Sequence, residues 1–105
     1  MLKAMKIRAK LNGEVAEIRI TAAHPMETGQ RKESNGKIVP AHFMQSLTVA
    51  VDEKILIDGQ TGAYLSRNPT FSFKVKGVKA GQKIIVTWSD SKGESRSDEV
   101  VLAEG

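Results

Sequence analysis

The 105-residue chain has no cysteine. Disulfides, thiolate catalysis, cysteine-ligated zinc and iron–sulfur clusters are therefore excluded. The compartment does not follow, because many exported domains also manage without cysteine. The start, with Lys3, Lys6 and Arg8, is basic but leads into no apolar run, so no signal peptide is legible. No stretch approaches transmembrane length, and no membrane contact is expected. Taken alone, this start reads as cytoplasmic. An internal repeat, a low-complexity tract and a convincing helical period are also missing.

What the chain has is alternation. Met5, Ile7, Ala9 and Leu11 alternate with Lys6, Arg8 and Lys10, the pattern of a half-buried strand with one basic face. Asn12-Gly13 tolerates positive φ and joins antiparallel strands tightly. Ala16, Ile18, Ile20 and Ala22 then oppose Glu17, Arg19 and Thr21, so residues 5–22 read as a hairpin. Its polar face mixes signs through Glu14 and Glu17. Further on, Phe43, Leu47, Val49 and Val51 share a face, with Gln45 as an exception. Past Asp52-Glu53, Ile55 and Ile57 continue until Asp58-Gly59 stops them, and residues 59–69 are irregular. Phe71, Phe73 and Val75 alternate with Ser72, Lys74 and Lys76, and Gly77 and Gly81 bound what reads as a hairpin turn. Ile84, Val86 and Trp88 follow, then the turn signal Asp90-Ser91-Lys92-Gly93. Val100 and Leu102 close the last strand, and Ala103-Glu104-Gly105 reads as a frayed end. The spacing predicts one all-β domain over residues 1–105, an immunoglobulin-like antiparallel β-sandwich of about seven strands. A small closed barrel is the alternative. Trp88, Phe71 and Phe73 are expected to fill the core.

Residues 23–41 lose the pattern, and a loop that long inside a compact domain is functional or flexible. His24 and His42 border it, with Met26, Glu27 and Met44 close in sequence. A His/Met set suits copper and a His/Glu set zinc, although the spacing matches no ligand motif. A metal-binding sandwich using His24, Met26, His42 and Met44 is therefore the alternative to a chain with no metal and no cofactor. No serine sits in G-x-S-x-G, and Glu27 and Asp58 would pair only by accident of folding. Gly77 to Lys83 holds glycines and lysines between two strand signals, not a strand and a helix, so P-loop geometry is missing. The net charge of +4 raises nucleic-acid binding, carried by stripes at Lys6, Arg8 and Lys10 and at Lys74 and Lys76. Aromatic residues do not interleave with either stripe on its own face, and outward lysines also block edge-to-edge association. No nucleic-acid partner is expected.

Several segments carry a family likeness. They are His24-Pro25-Met26-Glu27-Thr28-Gly29 with Arg31-Lys32, and Ile38-Val39-Pro40-Ala41-His42-Phe43. Ser66-Arg67-Asn68-Pro69 leads into Phe71-Ser72-Phe73-Lys74, and Trp88-Ser89-Asp90 runs on through Lys92 to Glu99. Collinear over nearly the whole chain, they resemble the SoxZ family, the cysteine-free side of the sulfur-carrier complex of thiosulfate oxidation. The resemblance implies an immunoglobulin-like sandwich that is not an enzyme. It implies a heterodimer with a SoxY-like protein, whose flexible tail ends in a glycine-flanked cysteine carrying sulfur intermediates. Other sulfur-oxidation enzymes would reach the chain through that complex, and the isolated chain could form a homodimer. It also implies a periplasmic location, reached by co-export with the partner, in place of the cytoplasmic reading. On this basis His24, Pro25, Met26, Glu27, Thr28, Gly29, Arg31, Pro40, His42, Phe43, Arg67 and Asn68 are expected to shape the partner-binding face. Arg31, Lys32 and Arg67 would steer anionic sulfur species or acidic partners. The plainer possibility is that Pro25 and Gly29 only order a long loop.

Overall fold

The computed structural model describes residues 3–52, 54–62 and 65–104. Met1, Leu2, Glu53 and Gly105, and residues 63–64 of the second irregular segment, lie outside them. The expected hairpin forms from β1 (Lys6–Asn12) and β2 (Val15–Thr21), turning at Gly13 with φ 63. Then come β3 (Met44–Val51), β4 (Lys54–Gln60), β5 (Thr70–Lys76), β6 (Lys83–Asp90), β7 (Ser95–Val101) and β8 (Ala103–Glu104). They form two four-stranded sheets, ordered β5-β2-β1-β8 and β4-β3-β6-β7. The architecture is the all-β, immunoglobulin-like sandwich expected, with no helix among the described residues.

The core lies between the sheets. Ile18 and Ile20 from β2 meet Leu47 and Val49 from β3 and Ile84, Val86 and Trp88 from β6, all at most 2% exposed. Burying such a side chain contributes about 1.5–3 kcal/mol, which suffices to select one register where a one-residue slip would turn the set outward. Phe71 and Phe73 are only half-buried at the flank of this core, because β5 is an edge strand. On β7 the inward positions include Arg96 and Asp98, which pair at 2.8 Å, and Asp98 also accepts the Met5 amide at 3.0 Å. That clamp ties the start of the first sheet to the second.

Other expectations need correcting. A β-bulge shifts the register between Met44 and Ser46 against β6. The extra residue inverts the phase of the strand, so Met44 and Leu47 both face the core while Gln45 is exposed and Phe43 half-buried. A second bulge separates Ile57 from Ile55 in the pairing with β3 and turns Ile55 outward, 61% exposed. Strand β4 does not stop at Asp58-Gly59 but runs through Gln60. The Gly77–Gly81 segment is not a hairpin turn; it joins β5 and β6, which belong to different sheets. Ala103 and Glu104 do not fray. They pair in parallel with Lys10 and Leu11, after Leu102, 1% exposed, plugs the end of the core.

Residues 23–43 connect the sheets as an irregular two-legged arm. Isolated bridges join Glu27 to His42 and Lys32 to Ile38, and the Glu33 amide bonds to the Lys37 carbonyl at 2.8 Å across the tip. Residues 31–38 are all exposed. The molecule measures 54 × 22 × 22 Å, with a radius of gyration of 15.6 Å. A compact domain of this length has about 13 Å, so the fold is distinctly elongated.

Candidate functional site

The arm's two ends bring the histidines together. His24 follows β2, and its backbone is held on both sides by Asn68: the His24 amide donates to Asn68 Oδ1 at 3.0 Å, and the Asn68 amide donates to the His24 carbonyl at 2.9 Å. Asn68 adopts φ 51 to do this, a conformation asparagine tolerates better than most residues. Met26, also left-handed at φ 51, turns its amide back to donate to His24 Nδ1 at 3.1 Å. A neutral His24 ring must therefore carry its proton on Nε2. That atom lies 3.0 Å from Asp90 Oδ2, at the end of β6. His42 enters from the other leg, held by reciprocal backbone bonds with Glu27 of 2.7 and 2.9 Å. Its Nε2 lies 2.8 Å from the same Asp90 oxygen and 2.9 Å from Glu94 Oε1.

Asp90 is the hub. It is 3% exposed, and its second oxygen accepts the Lys92 and Glu94 amides at 3.0 and 2.9 Å. Burial pushes its carboxyl pKa up, but the bonds from His24, the Glu94 amide, His42 and the Lys92 amide outweigh that, and the net pKa is held below the ordinary carboxylate value. The histidine rings stand edge to face, 4.6 Å apart, and His24 is packed edge to face against Trp88 at 5.1 Å. Every polar atom of the Asp90 carboxylate is thus matched to a donor inside the protein.

A cleft of about 470 Å³ opens above this cluster, lined by Lys3, Ala23, His24, Pro25, His42, Arg67, Asn68 and Glu94. Five of the residues singled out in the sequence meet there: His24, Pro25, His42, Arg67 and Asn68. His24 is buried beneath the cleft, while Pro25, Arg67 and Asn68 are exposed at it. Glu27 stands nearby, accepting from Nε and Nη2 of Arg31, and that contact, with Arg67 adding, lowers its carboxyl pKa. Thr28, Arg31 and Pro40 are exposed along the arm, Gly29 and Phe43 are half-buried, and Met26 is buried. Sequence reasoning missed Asp90, Glu94 and Lys3. Asp90 was detectable: it falls in phase with Ile84, Val86 and Trp88, so a carboxylate sits at an inward position of a core strand.

The metal site drawn from sequence does not assemble as expected. The groups bonded to the histidine rings are carboxylates and an amide; the Met26 sulfur instead accepts the Met44 amide at 3.4 Å within the core. His24, His42 and Asp90 do converge within 4.8 Å. Binding a cation through His24 Nε2, however, would move the ring proton to Nδ1, where the Met26 amide already points. The arrangement suits shared protons between a carboxylate and two imidazoles.

The model of one protein family, described as sulphur oxidation protein SoxZ, matches residues 5–101. The chain belongs to the SoxZ family. The match spans all of β1 to β7, together with His24, His42, Asp90 and Glu94, so the cluster lies wholly within the SoxZ unit. A search of curated proteins found no match. Among solved structures, a crystal structure of superoxide reductase in the oxidized state is similar in fold, with a TM-score of 0.64. The two are 15% identical, and the alignment covers 94% of this chain and 86% of that one. At that identity the likeness concerns the sandwich alone.

Proposed function

We propose that this SoxZ-family chain is the non-catalytic partner subunit of a sulfur-carrier complex. It binds a SoxY-like protein whose C-terminal cysteine carries sulfur intermediates during thiosulfate oxidation. The observation that carries this reading is the family match over residues 5–101. The chemistry of the chain supports it. With no cysteine among the 105 residues, the sulfur-bearing thiol belongs to another chain. The titratable cluster is consumed by its own hydrogen bonds, with no serine or other nucleophile bonded to either histidine ring among the described residues. Its role is to hold the arm against the sandwich, and so to shape the face formed by Pro25, Arg67, Asn68 and the near leg of the arm. Lys3 and Arg67 make the mouth of the cleft cationic, which suits a partner bearing anionic sulfur groups. The heterodimer is exported to the periplasm as a unit, and other sulfur-oxidation enzymes reach the chain through it. Without its partner the chain is free to pair with itself.

The test is co-expression with the SoxY-like protein of the same organism, followed by native mass spectrometry. A one-to-one complex that survives purification is expected, weakened by Arg67→Glu and unchanged by Asp58→Lys on exposed β4. No complex at micromolar concentration with a folded partner, or turnover of thiosulfate by this chain alone, would remove the proposal.

A further inference from the structure

Strands β5, β2 and β1 lie side by side, and their pleat sends alternate residues outward. Register decides which of these meet. Arg8 lies opposite Arg19, and Arg19 opposite Ser72. One step along, Lys10 lies opposite Glu17, and Glu17 opposite Lys74. Lys6 and Lys76 occupy opposite corners of the same outward face. The two basic stripes, remote in sequence, are therefore one surface with Arg19 between them. All seven of these charged side chains are exposed, six cations against the single carboxylate of Glu17. The whole chain carries only +4, so the remainder of the molecule is slightly acidic. A groove of about 620 Å³ runs over the face, lined among others by Arg8, Lys10, Arg19 and Lys74.

The Arg8–Arg19 pair is the telling feature. Directly opposed side chains have Cβ atoms about 4.5–5.5 Å apart, and like charges so placed destabilise a sheet. One row away the same conflict is relieved by Glu17, set between Lys10 and Lys74 and 3.9 Å from the Lys74 ammonium. Neither Arg8 nor Arg19 has an ion-pair or hydrogen-bond partner among the described residues. We propose that this face docks an acidic protein surface, and that a carboxylate of that partner completes the Arg8–Arg19 pair. A nucleic acid fits less well. Phe71 and Phe73 pack their rings against the core, leaving no exposed aromatic platform for bases on this face among the described residues, and Glu17 would meet a phosphate backbone as a like charge. A protein can set a cation or hydroxyl over Glu17, and such complementarity fixes register as well as speeding encounter. None of these residues lines the His24–Asp90 cleft, so failure to pair with a SoxY-like protein would leave this surface untouched.

The experiment is a titration of the 15N-labelled chain at low salt with short poly-L-glutamate, and in parallel with a thymidine oligonucleotide of equal length. Amide shifts are expected on β1, β2 and β5 with poly-L-glutamate and are expected to vanish in Arg19→Glu. The same variant should melt about 2–4 °C higher than the parent, because the new carboxylate pairs with Arg8. Binding lost while stability rises is a result that a merely structural arginine would not give. Arg8→Gln serves as the second variant and should weaken poly-L-glutamate binding several-fold. Shifts no larger on this face than around Lys32, Lys37 and Lys92 would overturn the proposal. So would undiminished binding in both variants, or tighter binding of the oligonucleotide to the same strands.

Discussion

Replacing Asp90 by asparagine changes one oxygen to an amide nitrogen and removes one charge, with almost no change in volume. The carboxylate accepts from four groups: two backbone amides on Oδ1 and two histidine nitrogens on Oδ2. Asparagine has one acceptor end and one donor end. If its oxygen keeps the Lys92 and Glu94 amides, its NH2 faces the His24 and His42 protons. His24 cannot adjust by moving its proton to Nδ1, because the Met26 amide occupies that side, and at 2% exposure it cannot turn to water. An unsatisfied buried donor costs about 1–3 kcal/mol, and removing one member of a buried charged network about 3–5 kcal/mol. A loss of about 3 kcal/mol is expected, which for a domain of this size lowers the melting temperature by about 12–24 °C. Thermal unfolding followed by circular dichroism gives the number, with Glu94→Gln as the comparison. That variant leaves the Glu94 amide bond to Asp90 in place and should melt close to the parent. The difference between Asp90→Asn and the parent should also depend on pH in a defined direction. The folded-state pKa of Asp90 is lowered, so its contribution is complete above the unfolded value of about 3.9 and is lost as pH falls through the folded value. The two proteins should therefore begin to converge in stability as pH falls below about 4, and meet only once it has passed the folded-state value. An Asp90→Asn protein that melts within about 4 °C of the parent at neutral pH, a deficit under about 1 kcal/mol, would refute the hub assignment.

Three further outcomes are expected. Gly29→Ala should destabilise by about 1–2 kcal/mol, because φ is +88 there and the new Cβ would sit 3.2 Å from that of Ala41; urea unfolding and the Glu27 and His42 amide shifts would report it. Leu102→Ala should cost about 2–5 kcal/mol and release β8, seen as fast hydrogen exchange at the Leu102 amide, which now donates to the Gln82 carbonyl at 2.8 Å. Calorimetric titration with zinc or copper should give no stoichiometric binding at the His24–His42–Asp90 cluster; a one-to-one isotherm lost in His24→Gln would show that the Met26 amide does not fix the ring.

The strands were legible because alternation records burial directly. Ile84, Val86 and Trp88 are in phase in the sequence and in the core. The reading failed where one residue was inserted into the pattern. At the bulge between Met44 and Ser46, alternation restarts in the opposite phase, and no propensity of Gln45 announces it. The ends failed for another reason. Ala103 and Glu104 carry no strand signal of their own, and pair only because Leu102 is captured by the core beside β1. His24, Pro25, His42, Arg67 and Asn68 could be picked out as a group by family likeness, but their common cleft forms only where the β2–β3 and β4–β5 connections meet in space. The joining of the two basic stripes was likewise hidden, since it depends on β5 crossing back to pair with β2.

The Asp90 network also says something about the order in which the molecule is assembled. Asp90 is separated from His24 by 66 residues and from His42 by 48, whereas the hairpins β1–β2 and β6–β7 close locally. Contacts so distant pay their chain-closure entropy late, after local structure has shortened the loops. Both histidines leave the ribosome well before the carboxylate that fixes them. The arm can be tethered only once the turn from Asp90 to Glu94 exists, so this exposed part of the fold waits on a late part of the chain.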